Sequence, residues 1–311
     1  MRRLLPTPST RPLVRLLLAA ALLVATWPGP ARPAAAARTA PAAGARPARI
    51  VSLVPAATEM LFAIGAGPRL VGVSSYDHFP PQVNRLPRVG ALIDPDLERI
   101  FELHPDLVVL YATQDDLRQQ LDHAGIPAYP FINGASLSDV LSTIRSLGAR
   151  VGSDTEAAAL DARLTARIDA VKAAVAGRPR PRTLLVFQRA PFALRDIYAS
   201  GGVGFLNDML EVAGGDNVFA DIKRQSVQIS SETVIARAPQ AILELHYTQP
   251  LSPADLAREA ATWNVLGSVP AVRDHQVHLL VGDDLVVPGP RIAEGIERMA
   301  RALHPDAFKG K

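Results

Sequence analysis

The chain has 311 residues, a length that fits two domains, and 48% of the residues are apolar, enough for a large core. The formal net charge is only +3, and part of the basic excess precedes the globular region, so the composition does not indicate a nucleic-acid-binding protein. Cysteine is absent, which excludes disulfides, thiolate metal sites and a lipid anchor on an N-terminal cysteine.

The first residues have the pattern of a secretory signal peptide. Arginines at positions 2, 3, 11 and 15 accompany an apolar stretch at residues 13–26, and small residues follow. The alternative is a membrane anchor, but this stretch is short for a bilayer span. We therefore expect a cleaved signal peptide at residues 1–37, a disordered linker at residues 38–48, and export of the mature protein to the periplasm.

From residue 49 onwards, strand and helix patterns alternate, which predicts a parallel sheet flanked by helices. The predicted strand at residues 70–73 runs into a loop that contains Tyr76, Asp77 and His78. Ligands of such sheets bind on loops at the carboxyl ends of the strands. We therefore expect this loop to lie at a binding site.

A helix–strand unit at residues 96–111 is the clearest element of the first half. Asp96 can cap the helix, and Pro105 ends it because the residue before a proline avoids the α region. The apolar run at residues 107–110 then predicts a strand buried on both faces.

The same unit recurs at residues 232–245, at an offset of 134 residues. Glu98 corresponds to Glu232, and Pro105 corresponds to Pro239. A repeat of this length predicts two similar lobes rather than a solenoid of short units.

A long helix pattern lies between the two units. Ser153 and Glu156 fit a capping box, and Gly177 fits the C-terminal end. One face of this helix carries an apolar stripe, formed by Leu160, Leu164, Ile168, Val171 and Val175. The predicted fold is α/β, with two Rossmann-like lobes that contain parallel sheets and are joined by one long α-helix. The N-terminal lobe spans residues 49–152, the linking helix residues 153–177 and the C-terminal lobe residues 178–311.

Five segments in chain order resemble the helical-backbone metal-receptor family, the class III periplasmic binding proteins that include the vitamin B12-binding proteins of ABC importers. The segments are RIVSLVPAATE at residues 49–59, VSSYDHFPP at 73–81, DLERI with PDLV at 96–108, GGDNVF at 214–219 and GPRI at 289–292.

The resemblance implies a monomeric binding protein, not an enzyme, that holds cobalamin, haem or a ferric siderophore non-covalently between its lobes. It further implies that one glutamate on each lobe docks into arginine pockets of a membrane permease. Glu98 and Glu232 match those glutamates, and one acidic residue per lobe suits a two-fold symmetric permease dimer.

The resemblance also implies ligand contacts. Tyr76 and Tyr111 match aromatic residues that frame the cleft of cobalamin binders, and Asp283 is retained. Leu92 and Ser226 stand where Trp is usual in that family, and Val287 stands where an Arg is usual. We expect cobalamin or a related corrinoid as the transported ligand, with haem or a ferric siderophore as the alternative, and no covalent cofactor.

Other residues are candidates because of their chemistry. Asp77 and His78 lie in the predicted cleft loop, where a His or Tyr can ligate iron or cobalt axially. His246 ends the repeated strand of the second lobe, and Arg189 follows an earlier strand, where its guanidinium can meet carboxylates or phosphate. A zinc or manganese receptor would need three or four His, Asp or Glu residues at the cleft loops, and the sequence does not show that set. Motifs of hydrolases, P-loop proteins and zinc proteases are absent from the sequence.

Overall fold

The computed structural model describes residues 46–132, 134, 136–247 and 251–309. The predicted signal peptide and linker residues 38–45 lie outside these ranges. Residues 46–48, which the sequence places in the linker, are held against the first lobe. The amide of Ala48 donates to Asp106, and the carbonyl of Pro47 accepts from Arg69. Within the described ranges, no helix combines the length and the hydropathy that a membrane span requires.

The first lobe is built on a parallel sheet with the strand order β2-β1-β3-β4. The strand segments at residues 50–52 and 107–110 are fully buried, as the continuous hydrophobic runs predict. The strands are β1 (Ile50–Ser52), β2 (Leu70–Val73), β3 (Leu107–Tyr111) and β4 (Ala128–Phe131). The helices are α1 (Pro55–Ala63), α2 (Leu97–Glu102), α3 (Asp115–His123) and α4 (Leu137–Val151).

The linking helix, α5, spans Asp154–Val175 and buries the predicted apolar stripe. Ser153 precedes this helix, but the predicted capping box is not formed. The Ser153 side chain makes no cap hydrogen bond and instead accepts a hydrogen bond from Arg69 at 3.2 Å. The buried cluster around α5 includes Ile50 of the first lobe and Ile296 of the second, so one apolar core runs through both lobes.

The second lobe contains a mixed sheet with the strand order β10-β9-β5-β6-β8, and β7 pairs with β5. Strands β7, β9 and β10 follow the parallel pattern, whereas β6 and β8 are antiparallel to their neighbours. The strands are β5 (Arg182–Gln188), β6 (Ile197–Ser200), β7 (Asp216–Asn217), β8 (Ser226–Ile229), β9 (Ala241–His246) and β10 (Val277–Val281). The helices are α6 (Phe205–Val212), α7 (Ser231–Arg237), α8 (Pro253–Thr262), α9 (Pro270–Arg273) and α10 (Ile292–Leu303).

The α/β fold and its long linking helix are therefore as predicted. The prediction of a parallel sheet in the second lobe was wrong, because that sheet is mixed. The connection from β5 to β6 is a short loop without a helix, and such a connection returns the chain antiparallel to the strand that it leaves. Strand β8 then pairs antiparallel with β6.

The predicted repeat is present in three dimensions as α2–β3 and α7–β9. Asp96 and Ser230, 134 residues apart, are the N-caps, and each side chain accepts a hydrogen bond from the backbone amide three residues later. After each helix the chain reverses through a residue with left-handed backbone, His104 (φ 49°) and Ala238 (φ 44°). The two lobes thus present equivalent helices at equivalent places.

Candidate ligand-binding cleft

The carboxyl edges of the two sheets meet at Arg291, which precedes α10. Its Nε donates to Glu59 on α1 at 2.8 Å, its Nη2 donates to the other oxygen of the same carboxylate, and its Nη1 donates to Asp283 at 2.6 Å. The guanidinium also lies over the ring of Phe79, 4.1 Å from the centroid. Because α1 follows β1 and Asp283 follows β10, this cluster ties the two binding edges together.

The Glu59 carboxylate is buried, with a side chain only 4% exposed. Burial raises the pKa of Glu59, although the hydrogen bonds and charge of Arg291 lower it. The same arginine lowers the pKa of Asp283. Asp283, expected at the ligand site, therefore belongs to the junction between the lobes.

The predicted ligand contacts of the first lobe lie in the loop after β2 and at the end of β3. Tyr76 is 66% exposed, and His78 and Leu92 are exposed as well. Tyr111 ends β3, is partly buried and makes an edge-on contact with Phe131, with ring centroids 6.3 Å apart. The predicted residues of this lobe thus lie on the loops and strand ends of one sheet edge.

Asp77 lies beneath this surface and has no exposure to solvent. Among the described residues, its two carboxyl oxygens have no hydrogen-bond partner. The hydroxyl of Thr58 is near but is engaged with Ser52 and the carbonyl of Val54. Burial raises the pKa of Asp77 to about 7, with Thr58, Ser74 and Arg88 opposing the rise. Asp77 is therefore a buried carboxyl rather than an exposed loop residue.

The second-lobe side is a cavity of about 300 Å³ at the ends of β5 and β9. Phe187, Phe205 and Tyr247 supply aromatic surface, and Ser226 lines the same cavity. An adjoining cavity of about 540 Å³ shares Phe187 and Tyr247 with the first one. These dimensions and the aromatic lining are those of a site for a sizeable organic ligand.

Charged side chains line the larger cavity and pair with one another. Arg189, whose side chain is 3% exposed, lies 2.9 Å from Glu244 and 2.6 Å from Glu259. The indole Nε1 of Trp263 donates to Glu244 at 2.6 Å, and His246 Nε2 lies 2.8 Å from the same carboxylate. Burial raises the pKa of Glu244, but His246, Arg189 and Trp263 outweigh it, so the pKa lies below its ordinary value.

This network changes the interpretation of two predicted contacts. The charge of Arg189 is already neutralised by two buried carboxylates, so it is not a free cation for a ligand carboxylate or phosphate. His246 borders the cavity, as its place in the repeat predicts, but its Nε2 faces Glu244. Both residues lie at the predicted edge of the sheet, where Glu244 and Glu259 hold Arg189 and Glu244 faces His246.

Glu59 and Glu244, each of which pairs with an arginine, were not among the predicted site residues, although the sequence around each one is unusual. Glu244 interrupts the apolar strand AILEL, and Glu59 interrupts the apolar start of α1. A carboxylate in such a run must be buried, and a buried charge needs a partner. The sequence could have predicted a cation near each one, but not that Arg189 and Arg291 are those cations.

The sequence also carries His275 and His278, at a spacing that a metal-ligand pair on a helix would use, but the structure places them around the start of a strand. His275 precedes β10 at a φ of 56°, and His278 lies on β10 with Nε2 3.3 Å from Gln276. In the described part of the chain, no group of three or more His, Asp or Glu side chains is arranged to hold a metal ion.

The two helices of the repeat carry the predicted docking residues. Glu98 lies in the first turn of α2 and Glu232 in the first turn of α7, and both are exposed. Neither residue belongs to the cleft surface described above.

Two α/β lobes joined by one long helix, with aromatic cavities at the strand ends of the second lobe, are the architecture of a bilobal ligand-binding protein. The sequence model of the periplasmic binding protein family matches residues 50–282, so the chain belongs to that family.

Relatives with similar sequences include transport proteins. The chain is 35% identical over 197 residues to the vitamin B12-binding protein of Salmonella choleraesuis, covering 63% of this chain and 71% of that protein. It is 29% identical over 269 residues to the uncharacterized ABC transporter substrate-binding lipoprotein YvrC of Bacillus subtilis, covering 85% and 82%.

Solved structures agree with this assignment. The vitamin B12-binding protein BtuF of Vibrio cholerae is 25% identical, with a TM-score of 0.70, covering 85% of this chain and 99% of that one. The heme-binding protein RhuT of Roseiflexus is 26% identical, with a TM-score of 0.69, covering 83% and 98%.

Proposed function

We propose that this protein is the exported substrate-binding component of an ABC importer, and that it binds cobalamin or a related corrinoid between its lobes. The main support is the aromatic surface at the two sheet edges, with exposed Tyr76 on the first lobe and Phe187 with Tyr247 in the cavities of the second lobe. Flat apolar rings suit a large macrocycle because aromatic side chains bury much area at small entropic cost. The similarity to vitamin B12-binding proteins supports the same ligand class.

Binding in this proposal is non-covalent and needs little movement of the lobes. The linking helix packs into the core of both lobes, and Arg291 joins them at the cleft. The site is therefore largely formed before the ligand arrives, which reduces the entropy that binding must overcome. The protein would release its ligand to a permease that docks on Glu98 and Glu232, and the periplasm is the proposed location.

Haem is the second candidate, and a specific observation favours it. Tyr76, Tyr111 and His78 all lie at the first-lobe edge, and phenolate or imidazole groups are axial ligands of haem iron. The similarity to heme-binding proteins of known structure supports this alternative as well. A ferric siderophore would use the same aromatic surfaces.

An absorbance and fluorescence titration with cyanocobalamin, hemin and ferrichrome tests the proposal. We expect saturable one-to-one binding of cyanocobalamin, with a dissociation constant in the micromolar range or below. Saturable binding of hemin or ferrichrome instead would select the alternative. No binding of any of the three chelates would overturn the proposed ligand class.

A further inference from the structure

The two equivalent helices share a second feature, which lies one helical turn beyond the glutamates. Phe101 follows Glu98 by three residues, and Ile235 follows Glu232 by three residues, so the offset of 134 is kept. Residues at this spacing are neighbours on a helix surface. Phe101 is 38% exposed and Ile235 is 46% exposed, whereas the residues just before them are buried. Each lobe therefore presents one carboxylate beside one exposed apolar side chain.

The arginines of the two helices are already paired with other carboxylates. Arg99 pairs with Glu102 at 2.7 Å on α2, and Arg237 of α7 pairs with Asp221 at 2.9 Å. Within the described ranges, neither Glu98 nor Glu232 takes part in an ion pair. The negative charge of each glutamate thus remains for a partner to neutralise.

Equivalent arginines hold the two helices in place. Arg49 Nη2 donates to the carbonyl of Leu103 at the end of α2, and Arg182 Nη2 donates to the carbonyl of Arg237 at the end of α7, both at 2.6 Å. The backbone amides of the same arginines donate to side-chain oxygens of Asp106 and Gln240 at 2.8 and 2.9 Å. These accepting residues are also 134 apart. The two helices that carry the patches are therefore held by equivalent contacts, one set in each lobe.

We propose that Glu98 with Phe101, and Glu232 with Ile235, form two matched docking patches, each of which takes a cationic side chain beside an apolar recess on one permease. This inference rests on the proposed transport function and extends it to two residues, Phe101 and Ile235, that anchor the complex. The apolar contact supplies binding that salt does not screen, while the carboxylates steer and align the encounter. A partner with two-fold repeated surfaces fits both patches at once.

The experiment measures binding of the intact protein to permease–ATPase complexes of its source organism, reconstituted in nanodiscs. The complex used is the one whose ATPase activity the wild-type protein stimulates. Phe101→Ser and Ile235→Ser are tested singly and together. The conservative variants are Phe101→Leu and Ile235→Val, and the control is Val265→Ser, at an exposed apolar residue outside both helices. Glu98→Gln with Glu232→Gln tests the charges. Thermal unfolding and cyanocobalamin or hemin titration check that each variant is folded.

We expect each serine variant to weaken binding about fivefold and the double variant about 25-fold, the loss typical of apolar interface contacts. The salt dependence of binding should remain unchanged in these variants and should flatten in the double Gln variant. The conservative variants and Val265→Ser should bind like the wild type.

Two results would overturn the inference in different ways. If the double serine variant binds like the wild type and the double Gln variant loses binding, Phe101 and Ile235 are not anchors and docking depends on the glutamates alone. If both double variants bind like the wild type, the two helices are not the docking surface. Self-association of the wild type that is lost in the double serine variant, without any effect on permease binding, would assign the patches to a second copy of the chain instead.

Discussion

Arg291 reaches from the second lobe to Glu59 of the first lobe, with which it forms a bidentate ion pair between the lobes. The two residues are 232 positions apart, and both side chains are largely buried. The pair fixes the distance between the two binding edges and holds Phe79 beneath the cation. The same ion pair therefore contributes both to the stability of the fold and to the relative position of the two sheet edges.

Replacement of Arg291 by Gln should lower the free energy of unfolding by about 3 kcal/mol, because Glu59 would be left buried without a cation. The loss should be smaller near pH 5, where the already raised pKa of Glu59 allows the carboxyl to take up a proton. Urea denaturation at pH 5 and pH 8 measures both effects. The double variant Arg291→Gln, Glu59→Gln is the control and should recover part of the loss. Equal stability of Arg291→Gln and the wild type would show that the pair is not a structural link.

Asp77 predicts a dependence of stability on pH. Its pKa is raised to about 7 in the folded protein from 3.8 for an ordinary aspartate, so the folded state holds a proton that the unfolded state has released. Stability should therefore decrease as the pH rises from about 4 to 7 and level off above 7. Over this range, Asp77→Asn should gain up to about 4 kcal/mol relative to the wild type.

The measurement is urea unfolding of both proteins between pH 4 and pH 8. Asp122→Asn, at an exposed position, corrects for the loss of a surface carboxylate. The relevant quantity is the difference in unfolding free energy between Asp77→Asn and the wild type, and how this difference changes with pH. Its absolute value is less informative, because the buried Asn side chain adds an offset that is the same at every pH. A difference that stays flat over the whole range would contradict a protonated Asp77.

Glu244 holds Trp263, Arg189 and His246 together, so Glu244→Gln should lower the free energy of unfolding by about 3 kcal/mol. In a protein that begins at residue 38, Trp263 is the only tryptophan, and its emission should change because its indole donates to Glu244. The control is Glu297→Gln, which removes a surface partner of Arg301 and Arg167 and should cost less than about 1 kcal/mol. Unchanged tryptophan emission in Glu244→Gln would contradict the network.

Much of the fold follows from local sequence patterns, because apolar periodicity and end signals are local properties. The apolar runs at residues 107–110 and 241–245 correctly predicted β3 and the core of β9. The apolar stripe from Leu160 to Val175 correctly predicted the linking helix. The direction of β6 and β8 did not follow, because it depends on the pairing of distant segments. For the same reason, the partners of Arg189 could not be predicted: Glu244 lies 55 residues further along the chain, and no local rule connects them.

Charge reversal at both docking helices should separate transport from ligand binding. Glu98→Arg with Glu232→Arg should abolish uptake, since each arginine would repel the cationic side chains that we propose for the permease. Affinity for the chelate that binds in titration should remain unchanged, because neither residue lines the cleft. Uptake by whole cells and titration of the purified variant give the two readouts. A loss of ligand affinity would instead place these glutamates in the binding site.

Tyr76 can distinguish the two candidate ligand classes. Its ring is 66% exposed in the free protein, so Tyr76→Ala should leave stability almost unchanged while weakening ligand binding by about tenfold or more. If the ring only packs against a corrinoid, Tyr76→Phe should bind cyanocobalamin nearly as well as the wild type does. If the phenolate ligates haem iron, Tyr76→Phe should weaken hemin binding as much as Tyr76→Ala does and should shift the Soret band. Tyr247→Ala, on the opposite lobe, controls for loss of aromatic surface without loss of that phenolate. Full affinity in both Tyr76 variants would remove this residue from the binding site.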